Sequence, residues 1–597
     1  MGCQMTSCSC ADPKWESTPP GGSPPMLSIR LTALLAATTT TLASPIPGTE
    51  RVVIVDVDGL RREALYGRLL NNPQLLPNIS EIVLGPDSSL STNDERIPPL
   101  GQYVAAKHAT TAFPSYTFAC QASLYTGNWP ATHGITGNEF FDRDIRRRFG
   151  FSGGSVTDPK DITHTYEYDP IYDDSESSIC DWLLDPIGQS HPAWGGLANL
   201  QLWTPTLYDA ASAAGISSVV AFNMYSSTAH HEDDNISWVV PTPDDLCTYQ
   251  LGNAWDYDAA MVDALLATLG TEPPYAQIIT AYFAGHDHYC HGFDTGVDTD
   301  EQAQKWYLTE AVDPLMGRLI RGMKERGIYD DAVFVFTADH GHTNVIANDR
   351  HSIVMEDELE ESIEDYTCDF FLPCFDVFDR WDWFWGDDFS AYVAQNSGAA
   401  HIYLRNLSTD NWSDFPETAD LRGVAKQLAR YHYGATDAEE PADGPIYPSD
   451  RVELILVRDP NECPDEGWST PYKVWVDSDQ PLADLAIWLD EHPDDYNYVE
   501  PLLRIEKMNC MRSGDIVFVP AQDEHDPELT WYADYEVEST HGSLYPLDSY
   551  IPFIVAGPPL AGRTRLVGSA AIVDVAPTVA DILEFDDGGM DGVSLLQ

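Results

Sequence analysis

Residues 51–59 read Arg51-Val-Val-Ile-Val-Asp-Val57-Asp58-Gly59, and residues 332–342 read Ala332-Val-Phe-Val-Phe-Thr-Ala338-Asp339-His340-Gly341-His342. Each is a short β-branched and aromatic run that stops abruptly at polar residues and glycine. Runs of this kind predict strands buried on both faces, as in a parallel sheet covered by helices. Ser217–Phe222, Gln277–Phe283 and Pro552–Val555 read the same way, with helical patterns such as Trp306–Arg326 and Pro577–Leu583 between them. This alternation predicts an α/β three-layer sandwich with a largely parallel central sheet.

The informative side chains lie where those strands end. Asp58-Gly59 follows the first, Gly285-His286-Asp287-His288-Tyr-Cys-His291 the strand ending at Phe283, and Asp339-His340-Gly341-His342 the strand ending near Ala338. His541-Gly542 precedes the strand at Pro552. Ligands of open α/β sheets bind at the carboxyl ends of strands, so these groups converge. Asp and His are oxygen and nitrogen donors suited to Zn²⁺ or a similar divalent ion. A single Asp-His-Gly is commonly a loop hydrogen-bond pair; four such groups at four strand ends predict a metal centre. His286 and His288 crowd this set as possible competitors and read as outer neighbours or solvated groups. His230-His231, before two aspartates, reads as a solvated loop.

A hydroxyl completes the pattern. Thr117 stands before a helix-compatible run, Phe118–Thr126, that stops at Gly127. Its place at the N-cap exposes it to the positive end of the helix dipole, and a neighbouring cation would make its alkoxide accessible.

Composition narrows the partners. Lys and Arg total 32 against 95 Asp and Glu, a formal net charge of −63. Such a surface repels nucleic-acid polymers and anionic membranes, so a phosphate must meet a local positive centre. Residues 1–25 carry Cys3, Cys8 and Cys10 among Pro, Ser and Gly and read as disordered or as an unused upstream start. Met26 opens a signal peptide over 26–44, with Arg30 before a short apolar stretch and Ala43-Ser44 at its end. No later run reaches about 18 apolar residues, so no membrane helix is expected. Eight cysteines remain, permitting up to four disulfides, with Cys368–Cys374 as the local pair. Asn78, Asn235, Asn406 and Asn411 each open an N-x-Ser sequon. Residues 45–352 and 530–597 read as two parts of one catalytic core. Residues 353–529, acidic, aromatic-rich and weakly periodic, read as an inserted cap without metal ligands. The aromatic run Trp381–Trp385 reads as packing inside that cap.

Together these motifs resemble the alkaline phosphatase superfamily, and within it the nucleotide pyrophosphatase/phosphodiesterase family, with phosphonoacetate hydrolases close by. The family phrase is similar to Pro114-Ser-Tyr-Thr117-Phe, Thr126-Gly127, His133-Gly134-Ile135 and Asn138. The stretch from His133 to Arg143 looks like the phosphonoacetate hydrolase branch, and Asp574–Leu583 with Asp591–Leu595 resembles the superfamily's last helix and closing strand. The resemblance covers about 51–346 and 541 to the end. It implies an alkaline phosphatase-like fold and two divalent ions, Zn²⁺ by preference. One would be held by Asp287, His291 and His541. The other would be held by Asp58, Asp339, His340 and the Thr117 oxygen. Asn138 would bond a phosphoryl oxygen, and a covalent phospho-threonine would form and be hydrolysed. The expected substrate is a small phosphodiester, pyrophosphate or nucleotide, handled outside the cytoplasm. No Arg lies between Thr117 and Gly127 to grip a monoester dianion, and no sulfatase modification motif surrounds Thr117. Phosphonate C–P hydrolysis and an inactive metal-stabilised binding protein are the alternatives. Tyr116 and His342 stand where the family usually has Lys and Met.

Overall fold

The computed structural model describes residues 46–85, 101–143, 147–149, 202–221, 225, 235–239, 254–292, 300–345, 355–369, 372–377, 389–396, 398–430, 452–461, 467–477, 480–493, 496–522, 529–530 and 539–597. Its main sheet is built from β1 (Arg51–Val57), β2 (Tyr103–Thr110), β3 (Ser218–Ala221), β4 (Ile236–Val239), β5 (Ile278–Phe283), β6 (Ala332–Thr337), β7 (Tyr550–Ile551), β8 (Phe553–Ala556) and β9 (Thr564–Ala571). The order is β7-β2-β8-β6-β1-β5-β3-β4, with β9 also paired to β2. Strands β6, β1, β5, β3 and β4 run parallel. Every residue of β1, β5 and β6 is buried, which is why these strands read as unbroken apolar runs.

The register carries the chemistry. Val57 lies beside Phe283, and Asp56 beside Thr337. The residues that follow these three strands therefore emerge at one edge.

Several expectations change. The strand at Phe553–Ala556 pairs antiparallel with β6 and β2. The stretch Asp591–Leu595 forms turns instead of a closing strand. There Asp591 Oδ2 accepts from Trp129 N–H at 3.1 Å and Thr132 O–H at 2.7 Å, tying the chain end to the loop after Gly127. The long helix expected over 306–326 is interrupted by a π-helical turn at Leu308–Val312.

Residues 391–520 build a second sheet with its own core. Its strands run in the order 391–395, 400–404, 516–520, 452–457, 473–474, 483–484, all antiparallel. Leu359, Ile363, Leu421, Val424 and Leu428 pack on one side of it. Leu485, Ile505 and Met508 form a further cluster with Phe113 and Leu544, which flank the first sheet's functional edge. This segment is thus a packed layer whose core takes in Phe113 and Leu544 of the neighbouring loops.

Among the described residues, no helix is long and apolar enough to cross a membrane. Cys120, Cys290 and Cys510 are buried and in no disulfide, which leaves room for two disulfides at most among the eight instead of four. Cys374 is disulfide-bonded; the side chain of Cys368, its expected partner, lies outside the described residues, as do residues 1–45, His230-His231 and Trp381–Trp385. The Asn78 side chain donates twice to Asp313, and that of Asn406 to Phe415 O, so neither sequon presents an unengaged amide.

Candidate metal centre

At the end of β1, Asp58 is buried, and its Oδ2 accepts a short hydrogen bond from Tyr282. Its Oδ1 has no hydrogen-bond partner, and neither has Oδ2 of Asp339. Asp339 Oδ1 accepts from the backbone N–H of Gly59 at 3.1 Å and of His340 at 2.9 Å. The His340 ring is fixed by Nδ1–H donating to Gly341 O at 3.0 Å. Its Nε2 then faces Asp58 Oδ1 at 3.3 Å, Asp339 Oδ2 at 3.6 Å and Thr117 Oγ1 at 3.1 Å.

A second group adjoins the first. The helix α2 (Gly285–Cys290) carries Asp287, and His291 follows one turn later on the same face. His291 Nδ1–H donates to Ser539 O at 2.8 Å, and His541 Nδ1–H donates to Ser115 O at 3.1 Å. Both rings therefore turn Nε2 toward Asp287, at 3.4 Å and 3.6 Å. The rings of His340 and His541 stack at 3.7 Å between centroids, so the two groups share a wall. Donor atoms of Asp58, Asp339 and His340 lie within 4.8 Å of one another, as do those of Asp287, His291, His342 and His541.

Electrostatics favours cations here. Burial, then the charges of Asp339 and Asp287, push the Asp58 carboxyl well above the usual carboxylate range. Burial also works against ionised Asp287, but the facing His291 and His342 imidazoles outweigh it and hold the group low. Buried carboxylate oxygens left without a hydrogen bond, as Asp58 Oδ1 and Asp339 Oδ2 are, and facing an imidazole nitrogen, are costly unless positive charge lies between them. Two carboxylates, an imidazole and a hydroxyl in one group, and a carboxylate with imidazoles in the other, fit divalent zinc-like ions.

Thr117 is the first residue of the helix α1 (Thr117–Thr126), and Tyr116, not Thr117, occupies the N-cap without a capping side chain. The Thr117 hydroxyl is thereby released from capping and points to His340. Asn138 Oδ1 accepts from Phe118 N–H at 2.7 Å, which orients the amide so that Nδ2 is its remaining donor. Ser115 joins the surrounding loops: its hydroxyl donates to Ser543 O at 2.6 Å and accepts from Arg504 at 2.7 Å. Thr111 Oγ1 is likewise committed to Asp339 O. Gly542, with φ +107°, packs against the backbone at Asn396 and Gly398, and Gly398 N–H donates to His541 O at 2.8 Å. The inserted layer therefore supports the loops of both Thr117 and His541.

The structure thus brings Asp58, Thr117, Asp287, His291, Asp339, His340 and His541 together, with Asn138 at the head of α1. His286 is buried, not solvated, and its Nδ1–H donates to Asp58 O at 2.6 Å. Burial lowers His288 to about 4. Ser539 and Arg504 are the neighbours that sequence reasoning did not place here, and His342, which it placed at the strand end, it did not assign as a ligand. The spacing Asp339-His-Gly-His342 carried a signal for His342; isolated Ser and Arg carried none.

A family model described as type I phosphodiesterase / nucleotide pyrophosphatase matches residues 52–500. The chain belongs to this family. An uncharacterised pyrophosphatase/phosphodiesterase of Schizosaccharomyces pombe is 24% identical over 292 residues, which is 49% of this chain and 44% of that protein. The chain thus matches less than half the length of that relative. Wild-type alkaline phosphatase PafA superposes with a TM-score of 0.53 at 15% identity, covering 92% of this chain and 98% of that one. Its likeness assigns the alkaline phosphatase-like fold. Murine ectonucleotide pyrophosphatase / phosphodiesterase 5 gives a TM-score of 0.49 at 14% identity, covering 91% and 97%.

Proposed function

We propose that this family member is a two-metal hydrolase of small phosphodiesters or pyrophosphates of the nucleotide type, acting through a covalent threonine phosphoester. The observation that carries the reading is the Thr117 hydroxyl, 3.1 Å from His340 Nε2 in the same buried group as Asp58 and Asp339. Asp58, Asp339, His340 and Thr117 would hold one divalent ion, zinc by preference, and Asp287, His291 and His541 the other. When bound, such a pair supplies Lewis-acid stabilisation to the attacking and leaving oxygens of an in-line displacement. Thr117 Oγ1, its proton passing to solvent water, forms a bond to phosphorus as the bond to the leaving oxygen breaks and that group departs as an alcohol, phenol or phosphate. Asn138 Nδ2 donates to a phosphoryl oxygen and holds it in line. Water then cleaves the threonine ester and restores the hydroxyl.

The phosphonate alternative rests on the sequence likeness of the phrase from His133 to Arg143. His133 is fully buried; its Nδ1 accepts from Ile135 N–H at 3.1 Å, and burial, with Arg512 nearby, lowers it to about 3. Arg143 is fully buried too and pairs with Asp515 at 2.7 Å. Those two side chains are engaged with other loops, His133 with Ser123 and Arg143 with Met511 and Ser513, which favours the phosphodiester reading. Export is supported by the signal-like segment at 26–44 and by the disulfide at Cys374, since such bonds persist in oxidising compartments.

The test is hydrolysis of bis(p-nitrophenyl) phosphate, a dinucleoside polyphosphate and phosphonoacetate, with and without added zinc. Zinc-dependent cleavage of the first two, lost in Thr117→Ala, is the expected result. Preferential cleavage of phosphonoacetate, or full activity of metal-loaded Thr117→Ala, would overturn the proposal.

A further inference from the structure

We propose that His342 is a fourth protein ligand to the ion held by Asp287, His291 and His541, with Ser539 setting its tautomer. The inference rests on the two-metal reading and adds to it a donor that reading does not use. His342 Nε2 lies 2.6 Å from Asp287 Oδ1, closer than either neighbouring imidazole nitrogen approaches that carboxylate. The ring is fully buried, with centroids 4.8 Å from His291 and 5.1 Å from His541.

The hydrogen-bond directions decide which nitrogen bears the proton. Ser539 Oγ donates its one hydrogen to Cys290 O at 2.7 Å. At His342 Nδ1, 2.9 Å away, the same oxygen can then only accept, so Nδ1 carries the hydrogen. In a neutral ring this turns the Nε2 lone pair toward the carboxylate. Ser539 treats His291 alike, taking its Nδ1–H on the backbone carbonyl. One residue thus holds two imidazoles in the same tautomer with Nε2 inward, the role that outer neighbours play for metal-bound histidines. With Nδ1 carrying the hydrogen of a neutral ring, a 2.6 Å approach of Nε2 to a carboxylate oxygen requires either a second ring proton or a cation between them, and the metal ligands around it favour the cation.

The backbone at His342 is held as firmly. Arg61 Nε donates to His342 O at 2.6 Å, and Thr343 Oγ1 donates to Asp548 Oδ1 at 2.6 Å. Gly59 leaves room on the other side: a Cβ there would fall 2.5 Å from His342 Nε2 and 3.0 Å from Asp287 Oδ1. Three imidazoles and one carboxylate would give this ion four protein ligands, with a substrate oxygen entering as a fifth.

The experiment is a crystal structure of the zinc-loaded full chain with anomalous data at the zinc edge, paired with chelator competition on variants. The expected result is His342 Nε2 at about 2.0–2.1 Å from the ion that Asp287 also binds. His342→Gln should weaken one site by more than about 100-fold and leave the other unchanged, while Ser539→Ala should weaken the same site by about 10–100-fold. Zinc on Asp287, His291 and His541 with His342 bonded only to Asp287, as an imidazolium, would overturn this inference and leave the two-metal reading standing. An absence of zinc at Asp287 in crystals and in solution would overturn both.

Discussion

Arg504 offers a quantitative test of how the inserted layer serves the site. Its guanidinium, 1% exposed, donates to Val499 O at 3.2 Å, Ser549 Oγ at 2.6 Å, Ala112 O at 2.8 Å and Ser115 Oγ at 2.7 Å. Ser115 precedes Thr117 by two residues, and its carbonyl fixes the His541 ring. Charged hydrogen bonds contribute about 1.5–3 kcal/mol each, so four at the low end give about 6 kcal/mol. Burial opposes this by depressing the Arg504 pKa to about 10, or roughly 3 kcal/mol. Arg504→Met, which keeps most of the volume, should therefore destabilise the fold by about 3 kcal/mol, within the range for breaking a buried charged network. The turn carrying Thr117 should also relax, and a displacement of about 1 Å can lower kcat by about 100-fold. Urea denaturation supplies the first quantity, and turnover of bis(p-nitrophenyl) phosphate at matched zinc content the second. A variant with wild-type midpoint and wild-type kcat would refute the bracing role.

Three further outcomes follow from the same structure. Gly59→Ala should destabilise by about 1–2 kcal/mol through its left-handed backbone, φ +67°, and lose zinc from the Asp287 group; elemental analysis after dialysis measures it, and retention of both ions would count against the geometry. Chelation should lower the melting temperature as well as activity, because an ion at about 100 times its Kd contributes about 2.7 kcal/mol of stability; an unchanged melting curve for demonstrably metal-free protein would contradict the fit of buried carboxylates to cations. Burial raises Glu453 to about 8 even though Tyr498 donates to it at 2.8 Å. A carboxyl with a raised folded pKa stabilises fully below about 4.5 and progressively less as pH climbs to about 8, so Glu453→Gln should flatten the loss of stability between pH 5 and 8.5; denaturation midpoints across that range decide the matter.

The legible part of the fold was the buried centre of the sheet. β1 has the bounds expected from its sequence, and β5 and β6 begin or end within one residue of theirs, because strands covered on both faces are continuous apolar runs. β2 escaped notice because Lys107 and His108 are exposed in its middle, and β9 because every residue of it is only half-buried or exposed. Strand direction at 553–556 was invisible, since an apolar run carries no polarity. In the inserted sheet, His401 pairs with Val517, a contact across more than a hundred residues that no local pattern announces. The candidate site was legible where Asp and His follow strands. The helix start was misplaced by one position, which changes what the Thr117 hydroxyl does: it faces His340 instead of capping backbone. Ser539 and Arg504 act through single hydrogen bonds made at long range, and such residues look ordinary in sequence.

The central claim is that Thr117 takes the phosphoryl group. Trypsin should release His108–Arg143 as one peptide, since no Lys or Arg interrupts it. Zinc-loaded enzyme, mixed with excess bis(p-nitrophenyl) phosphate, quenched in acid within the first turnover and digested, is to be sequenced by mass spectrometry. The account predicts a p-nitrophenyl phosphoryl adduct on Thr117, absent from the Thr117→Ala protein. An unmodified peptide from a quenched sample that has released a stoichiometric burst of p-nitrophenol, or an adduct on any other residue, would contradict it.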